Sequence, residues 1–162
     1  MTAQTSARGD PSLGGFTLVE IMVVVVIIGL LAALAMPAIS RVKRRSINSE
    51  VANDLRVFAQ AFETYATSHG TWPTNAGAGV VPVGMRTGAL KNSDWQATTP
   101  IGGNWNWDDS SSGFSYNAAI AITGFTCTDA QLQEIDALID DGNLSTGTFQ
   151  KVSGNRVAFI LE

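Results

Sequence analysis

Gly14-Gly15-Phe16-Thr17-Leu18-Val19-Glu20, followed by IMVVVVIIGLLAALAMPAI over residues 21–39, is the stretch that decides the fold. No charged residue occurs from Ile21 to Ile39. That is about 19 residues, or roughly 28 Å of helix, close to the thickness of a bilayer core. Gly29 and Ala33 sit four apart within it, a spacing of small residues that lets helix backbones approach closely. Pro37 removes a backbone hydrogen bond and predicts a kink or loosening of the preceding turn. Glu20 is the anomaly: a carboxylate costs on the order of 3 kcal/mol at the bilayer centre, less near the edge, and so asks for a cation. Its plain alternative is a helix N-terminal acid that complements the helix dipole near the headgroups.

Upstream, MTAQTSARGDPSLGG over residues 1–15 is small and polar, without helical or strand periodicity. It reads as a leader rather than as part of the fold. Downstream, Ile47, Val51, Leu55, Phe58, Phe62 and Tyr65 recur at three- or four-residue spacing and form one apolar stripe, with Asn48, Asp54, Arg56 and Glu63 on other faces. Gly70 and Pro73 are stop signals. One helix from about Phe16 to Ser68 would run roughly 80 Å at about 1.5 Å per residue, apolar all round in its first half and one-sided in its second.

The Gly-Gly, the aromatic, Thr-Leu, the acid and the long apolar run, in that order, resemble the cleavage and assembly motif of type IV pilins and type II secretion pseudopilins. The resemblance covers Gly14 to Pro37 and extends more loosely to about residue 75. It implies that a prepilin peptidase cuts after Gly15, that Phe16 becomes an N-methylated N-terminus, and that Pro37 occupies the family's helix-kinking position. It implies assembly through Glu20, Gly29 and Pro37, with Glu20 of one subunit pairing with the Phe16 amine of a neighbour. An ion pair in a low dielectric sets register because leaving either charge alone is costly. The implied partners are copies of the chain, other pilins or pseudopilins, the peptidase and an inner-membrane assembly platform. The implied location is the bacterial inner membrane, single-pass, with the head in the periplasm or outside, and then a periplasmic or extracellular filament. YATSHGTWP, residues 65–73, is similar to the helix exit of many pseudopilins.

Two other readings of the N-terminus compete. A conventional signal peptide would use Arg8 as its charge and Ala33-Leu34-Ala35 as its cleavage site, but Glu20 interrupts the apolar core, which is also too long. A plain signal anchor would put the basic cluster Arg41, Lys43, Arg44 and Arg45 in the cytoplasm, the orientation opposite to that of the family. The cluster abuts the apolar run, so it reads as a membrane-interface anchor rather than a DNA site.

The remainder is polar and acidic. The chain of 162 residues carries a net charge of −4. From Trp105 onward Asp108, Asp109, Asp129, Glu134, Asp136, Asp140, Asp141 and Glu162 face only Lys151 and Arg156. An acidic domain does not favour nucleic acid, since phosphate contacts need a basic surface. Residues 71–103, rich in Gly, Thr, Pro and Ala, read as a long irregular connection pinned by Trp72 and Trp95. Trp105 and Trp107 alternate in a short strand over 102–107; they resemble a sugar-binding platform in composition, with core packing the plainer use. Residues 108–113 are a turn. Phe114, Tyr116, Ala118, Ile120 and Ile122 alternate as a strand.

Thr128 and Gln131 form a capping box for a helix whose buried face is Leu132, Ile135, Leu138 and Ile139, ended by Gly142. Residues 148–152 and 156–161 form a hairpin around Ser153-Gly154-Asn155. The fold class is α+β: a long N-terminal helix packed on a small antiparallel sheet. The segments are a leader (1–15), a transmembrane and assembly half of the helix (16–39), an amphipathic half (40–70) and a globular head (71–162).

Chemistry in the head is sparse. One histidine, His69, sits at a helix end, and one cysteine, Cys127, is read as a small buried residue. There is no phosphate loop and no zinc-ligand spacing, so no enzyme is expected. The lone cysteine points to a pseudopilin rather than a pilus pilin, because many pilins close their C-terminal region with a disulfide. Asp136, Asp140, Asp141 and Asn143 offer oxygen ligands of the kind calcium takes. Their spacing is not that of an EF-hand, and no copy of the calcium loop of some pseudopilins is present; the plain reading is a helix end without a cofactor. Residues 140–149, DDGNLSTGTF, are similar to a segment of some prepilin-type proteins and carry no assigned role. An anchored carbohydrate- or calcium-binding module, a pilus pilin for adhesion, motility or DNA uptake, and an exported hydrolase are the alternative functions.

Overall fold

The computed structural model describes residues 15–85 and 90–162. The leader, apart from Gly15, lies outside the described residues, as does Gly14. The chain divides between Arg41 and Val42 into two compact units. Helix α1, Leu18–His69, contributes to both and carries Pro37 inside it without interruption of the helical assignment. In the first unit its Val, Ile and Leu side chains are exposed all round. It is the one helix among the described residues that is long and apolar enough to cross a membrane.

The second unit is an α+β head that includes the C-terminal part of α1, as the one-sided stripe predicts. Its elements after α1 are α2 (Asn92–Gln96), β1 (Asn104–Asp109), β2 (Ala118–Thr123), α3 (Asp129–Ile139), β3 (Phe149–Ser153) and β4 (Arg156–Ile160). The four strands form one antiparallel sheet in the order β1-β2-β4-β3. Val51, Leu55, Phe58 and Phe62 of α1 are buried in the core cluster with Trp105, Trp107, Ile120, Ile122, Leu132, Ile135, Phe149 and Val157.

The helical spacing of Phe58 and Phe62 meets the strand spacing of Trp105 and Trp107. Phe62 stacks on Trp107 with ring centroids 3.9 Å apart, and Phe58 stands edge-on to Trp105 at 5.0 Å and to Trp95 at 5.2 Å. Offset-stacked and edge-on pairs of this kind add about 0.5–1.5 kcal/mol each beyond the area they bury. Trp105 and Trp107 are thus core residues, not a sugar platform. Trp95 pins the irregular connection as expected: it is fully buried and its indole donates to the Val80 carbonyl at 2.9 Å. Trp72 does so from the rim, half-exposed, its indole donating to Glu162 at 2.6 Å.

The structure departs from the sequence reading in several places, each for a tertiary reason. Strand β2 begins at Ala118, not Phe114. Phe114 and Tyr116 instead precede it in a loop, and Tyr116 covers Ala119, Ala121 and Ala158 on the sheet face opposite α1's stripe. The strand is therefore buried on both faces, and alternation was a misleading guide there. A short helix, α2, forms in the connection around Trp95. On α3, Leu138 is 45% exposed whereas Asp136 is fully buried, so the inward face is rotated from the one predicted. The cap is half a capping box: the Thr128 hydroxyl accepts from the Gln131 amide at 3.4 Å, but the Gln131 side chain leaves it to donate to Asn48 at 2.9 Å. Cys127 is half-buried and packs at the edge of the core; that burial raises its thiol pKa.

Candidate functional site

Gly15 and Phe16 are exposed and outside regular structure, and α1 starts two residues after Phe16. The peptide bond between them is open backbone of the sort proteases cut. Thr17 and Glu20 then close the helix N-terminus reciprocally. The Thr17 amide and hydroxyl donate to Glu20 Oε2 at 2.8 and 2.7 Å, and the Glu20 amide donates to Thr17 Oγ1 at 3.3 Å. This is a capping box, with Glu20 at the third helical position. It places the carboxylate where the helix dipole favours it, the plain role weighed for this residue.

Nothing lies within 4 Å of where a side chain would start at Gly29, so its backbone is open to close approach. Next to Pro37, the Ser40 hydroxyl donates back to the Met36 carbonyl at 2.7 Å, a bond that commonly accompanies helix bending. Phe16, Glu20, Gly29 and Pro37 lie along one exposed segment; the fold does not gather them into a pocket.

Within the head a polar clasp holds α3 to the C-terminal part of α1. Arg44 pairs with Glu134 at 2.8 Å, Asn48 donates to Glu134 at 2.8 Å, and Arg56 donates to the Leu138 carbonyl at the end of α3. Asn48 is 2% exposed, so its amide is satisfied almost wholly by α3. Arg44, half-exposed, therefore also has a partner within the head. No spacing along α1 could have shown this, because the partners are more than eighty residues away.

A second network was not anticipated. Buried Asp108 on β1 accepts from Arg156 on β4, from the Tyr116 hydroxyl at 2.9 Å and from Asn106 at 2.8 Å. Arg156 also lies over the Phe114 ring, 5.0 Å from its centroid. Burial, then the Asp108 charge, push the Tyr116 hydroxyl pKa well above its usual value. Asp108 is shared among three donors and the Arg156 guanidinium also donates to the Thr123 hydroxyl at 2.9 Å, which describes a structural network rather than a reactive one. His69 stacks on Tyr65 at 4.0 Å, with its Nδ1 at 3.0 Å from the Tyr65 carbonyl, a helix-end arrangement.

Asp136, Asp140 and Asp141 do come together at the end of α3. Burial, reinforced by Asp141 and then Asp140, pushes the Asp136 carboxyl up to about 6. Asp141 is held low by the Thr146 hydroxyl and the Asn143 amide. The Asn143 side chain turns into the loop, its oxygen accepting from the Ser145 amide at 3.2 Å, while its backbone amide donates to Asp141 at 2.8 Å.

These features define a chain with a prepilin-type N-terminus, an exposed apolar helix and a small antiparallel head. The family described as "Prokaryotic N-terminal methylation motif" matches residues 14–36. Over 67 residues the chain is 45% identical to the fimbrial protein EcpC of Eikenella corrodens, covering 41% of this chain and 44% of that protein. Over 66 residues it is 42% identical to the type IV major pilin protein PilE1 of Neisseria gonorrhoeae, covering 41% of this chain and 31% of the pilin. Over 60 residues it is 40% identical to the type II secretion system core protein G of Klebsiella pneumoniae, covering 37% of this chain and 43% of that protein. The match therefore spans less than half the length of each relative. Among solved structures, the major type IV pilin PilA1 from Clostridium difficile superposes with a TM-score of 0.47 at 19% identity, covering 75% of this chain and 98% of that one.

Proposed function

We propose that this chain is a structural subunit of a type IV pilus-like filament, cut after Gly15 and assembled through the N-terminal half of α1. The observation that carries the reading is the position of the methylation motif. Residues 14–36 match it, and within them an exposed Gly15–Phe16 bond leads directly into an exposed apolar helix with Glu20 in its first turn. Cleavage would put a positive amine on Phe16 at the edge of that apolar surface. Glu20, already held at its own helix start by Thr17, then offers a fixed anion to the amine of a neighbouring subunit. Before assembly the apolar half sits in the inner membrane, and the assembly platform and prepilin peptidase act on it there.

The finer reading is a type II secretion pseudopilin, supported by the single cysteine, Cys127, and by similarity to a secretion core protein G. A pilus pilin is the second reading, favoured by similarity to PilE1 and EcpC.

The test is intact mass and N-terminal sequencing of the membrane-extracted protein, with and without prepilin peptidase. A peptidase-dependent start at Phe16 with an added methyl group supports the filament reading. A start at Met36 replaces it with ordinary secretion. Deletion of the gene then separates the finer readings: loss of secreted proteins with surface fibres intact favours the pseudopilin, and the reverse favours the pilin.

A further inference from the structure

Asp141-Gly142-Asn143-Leu144-Ser145 lies in the loop between α3 and β3, within the segment 140–149 that carries no assigned role. Asn-x-Ser, with a residue other than proline in the middle, is the acceptor triplet for attachment of a glycan to asparagine in exported proteins. The triplet alone is a weak signal. About one residue in six is Ser or Thr, so one triplet among nine asparagines is no more than composition supplies. What distinguishes Asn143 is its setting.

Asn143 and Ser145 are exposed, whereas Leu144 between them is buried in the core cluster. Burial of Leu144 fixes the loop and leaves its two neighbours on the surface. The hydrogen bonds of Asn143 use every polar group except the one that would react. Its backbone amide donates to Asp141 at 2.8 Å, its carbonyl accepts from the Thr146 amide at 3.0 Å, and its side-chain oxygen accepts from the Ser145 amide at 3.2 Å. Among the described residues neither Asn143 Nδ2 nor the Ser145 hydroxyl has a partner. Asp141, exposed and two residues before the asparagine, is held ionised by the Thr146 hydroxyl and the Asn143 amide. It sets a fixed anion beside the acceptor, a charge that a transferase can grip. Of the other asparagines none has a hydroxyl residue two positions on, and Asn48 and Asn106 are buried.

We propose that Asn143 accepts one N-linked glycan from a polyprenyl diphosphate carrier, with Ser145 and Asp141 as the groups by which the transferase recognises it. In the transfer a bond forms between Asn143 Nδ2 and C1 of the first sugar. The bond from C1 to the carrier's diphosphate oxygen breaks, and its electron pair leaves with the diphosphate. One Nδ2 proton passes to a carboxylate of the transferase. Transfer occurs on the exported chain before Leu144 is buried, and the folded loop accommodates the product because no protein bond to Nδ2 has to break. The site rests on the reading that places the head outside the cytoplasm, where such a glycan is delivered.

The experiment is mass spectrometry of the full chain extracted from the membranes of the cells that make it, intact and after proteolysis, so that the N-terminus and residue 143 are read on the same protein. The expected result is an added glycan mass on the peptide holding residues 141–145, placed on Asn143 by fragmentation. Asn143→Gln and Ser145→Ala should abolish it. Ser145→Thr, which keeps the hydroxyl, should retain it, and Asp141→Asn should lower the modified fraction. The Ser145 side chain has no partner to lose, so its two variants fold normally and decide the matter if Asn143→Gln does not accumulate. An unmodified Asn143, a glycan placed on a hydroxyl instead, or modification retained in Ser145→Ala would overturn the proposal. An unchanged fraction in Asp141→Asn would overturn the role given to the acid. A chain starting at Phe16 with a bare Asn143 breaks this inference alone, and an uncut chain carrying the glycan breaks the filament reading alone.

Discussion

The two halves of α1 have similar backbones and opposite side-chain environments. Ile21, Val24 and Ile27 in the first half are each at least 50% exposed, while Val51, Leu55 and Phe62 in the second are fully buried. The difference follows from what surrounds each apolar residue in sequence. In the first half every face is apolar, so no rotation of the helix hides it; it needs lipid or other apolar helices. In the second half Asp54, Arg56 and Glu63 break the surface and leave a single stripe that the rest of the head can cover. Continuous apolar character thus marks surface reserved for something outside the chain, and interrupted character marks surface consumed by folding.

Substitutions in the two halves should separate these roles. The largest effect is expected from Glu20→Val, which should reduce filament assembly by at least ten-fold while leaving the amount in the membrane fraction unchanged. Sheared-filament yield set against membrane content measures this, and normal filaments would break the assignment of the first half to assembly. Next, Phe62→Ala removes the ring stacked on Trp107 and should cost about 3–5 kcal/mol of head stability, as large-to-small core changes do. Buried tryptophan fluorescence during unfolding reports it. Asn48→Ala strands Gln131 and Glu134 and should cost about 1–3 kcal/mol in the same assay. Smallest of all, Leu30→Ala in the exposed half should change head stability by less than about 0.5 kcal/mol. A loss comparable to that of Phe62→Ala would mean that the exposed half is not reserved for outside partners.

Much of this organisation is legible in the chain itself because it rests on local periodicity. The three- and four-residue stripe from Val51 to Phe62, the Thr128 cap and the hairpin around Gly154 are patterns within a few turns or a few residues, and each forms where expected. The reading weakens where a residue's fate depends on a distant partner. Leu138 and Asp136 exchange exposure because α3 is turned by its clasp to Arg44, Asn48 and Arg56, which no spacing on α3 encodes. Tyr116 leaves the strand pattern because Asp108 and the alanine-lined sheet face draw it over them. Asp136 itself was visible as one of several acids, but its burial, which distinguishes it from Asp140 and Asp141, was not.

The linear order of residues alone determined the apolar helix and the α+β class, since these follow from neighbours in sequence and from the length of an unbroken apolar run. Tertiary structure alone decided which polar groups are buried and paired: Asn48 with α3 and Asp108 with Arg156. The physical reason is that desolvation and hydrogen bonding depend on what is packed against a side chain, and that is set by contacts between elements dozens of residues apart.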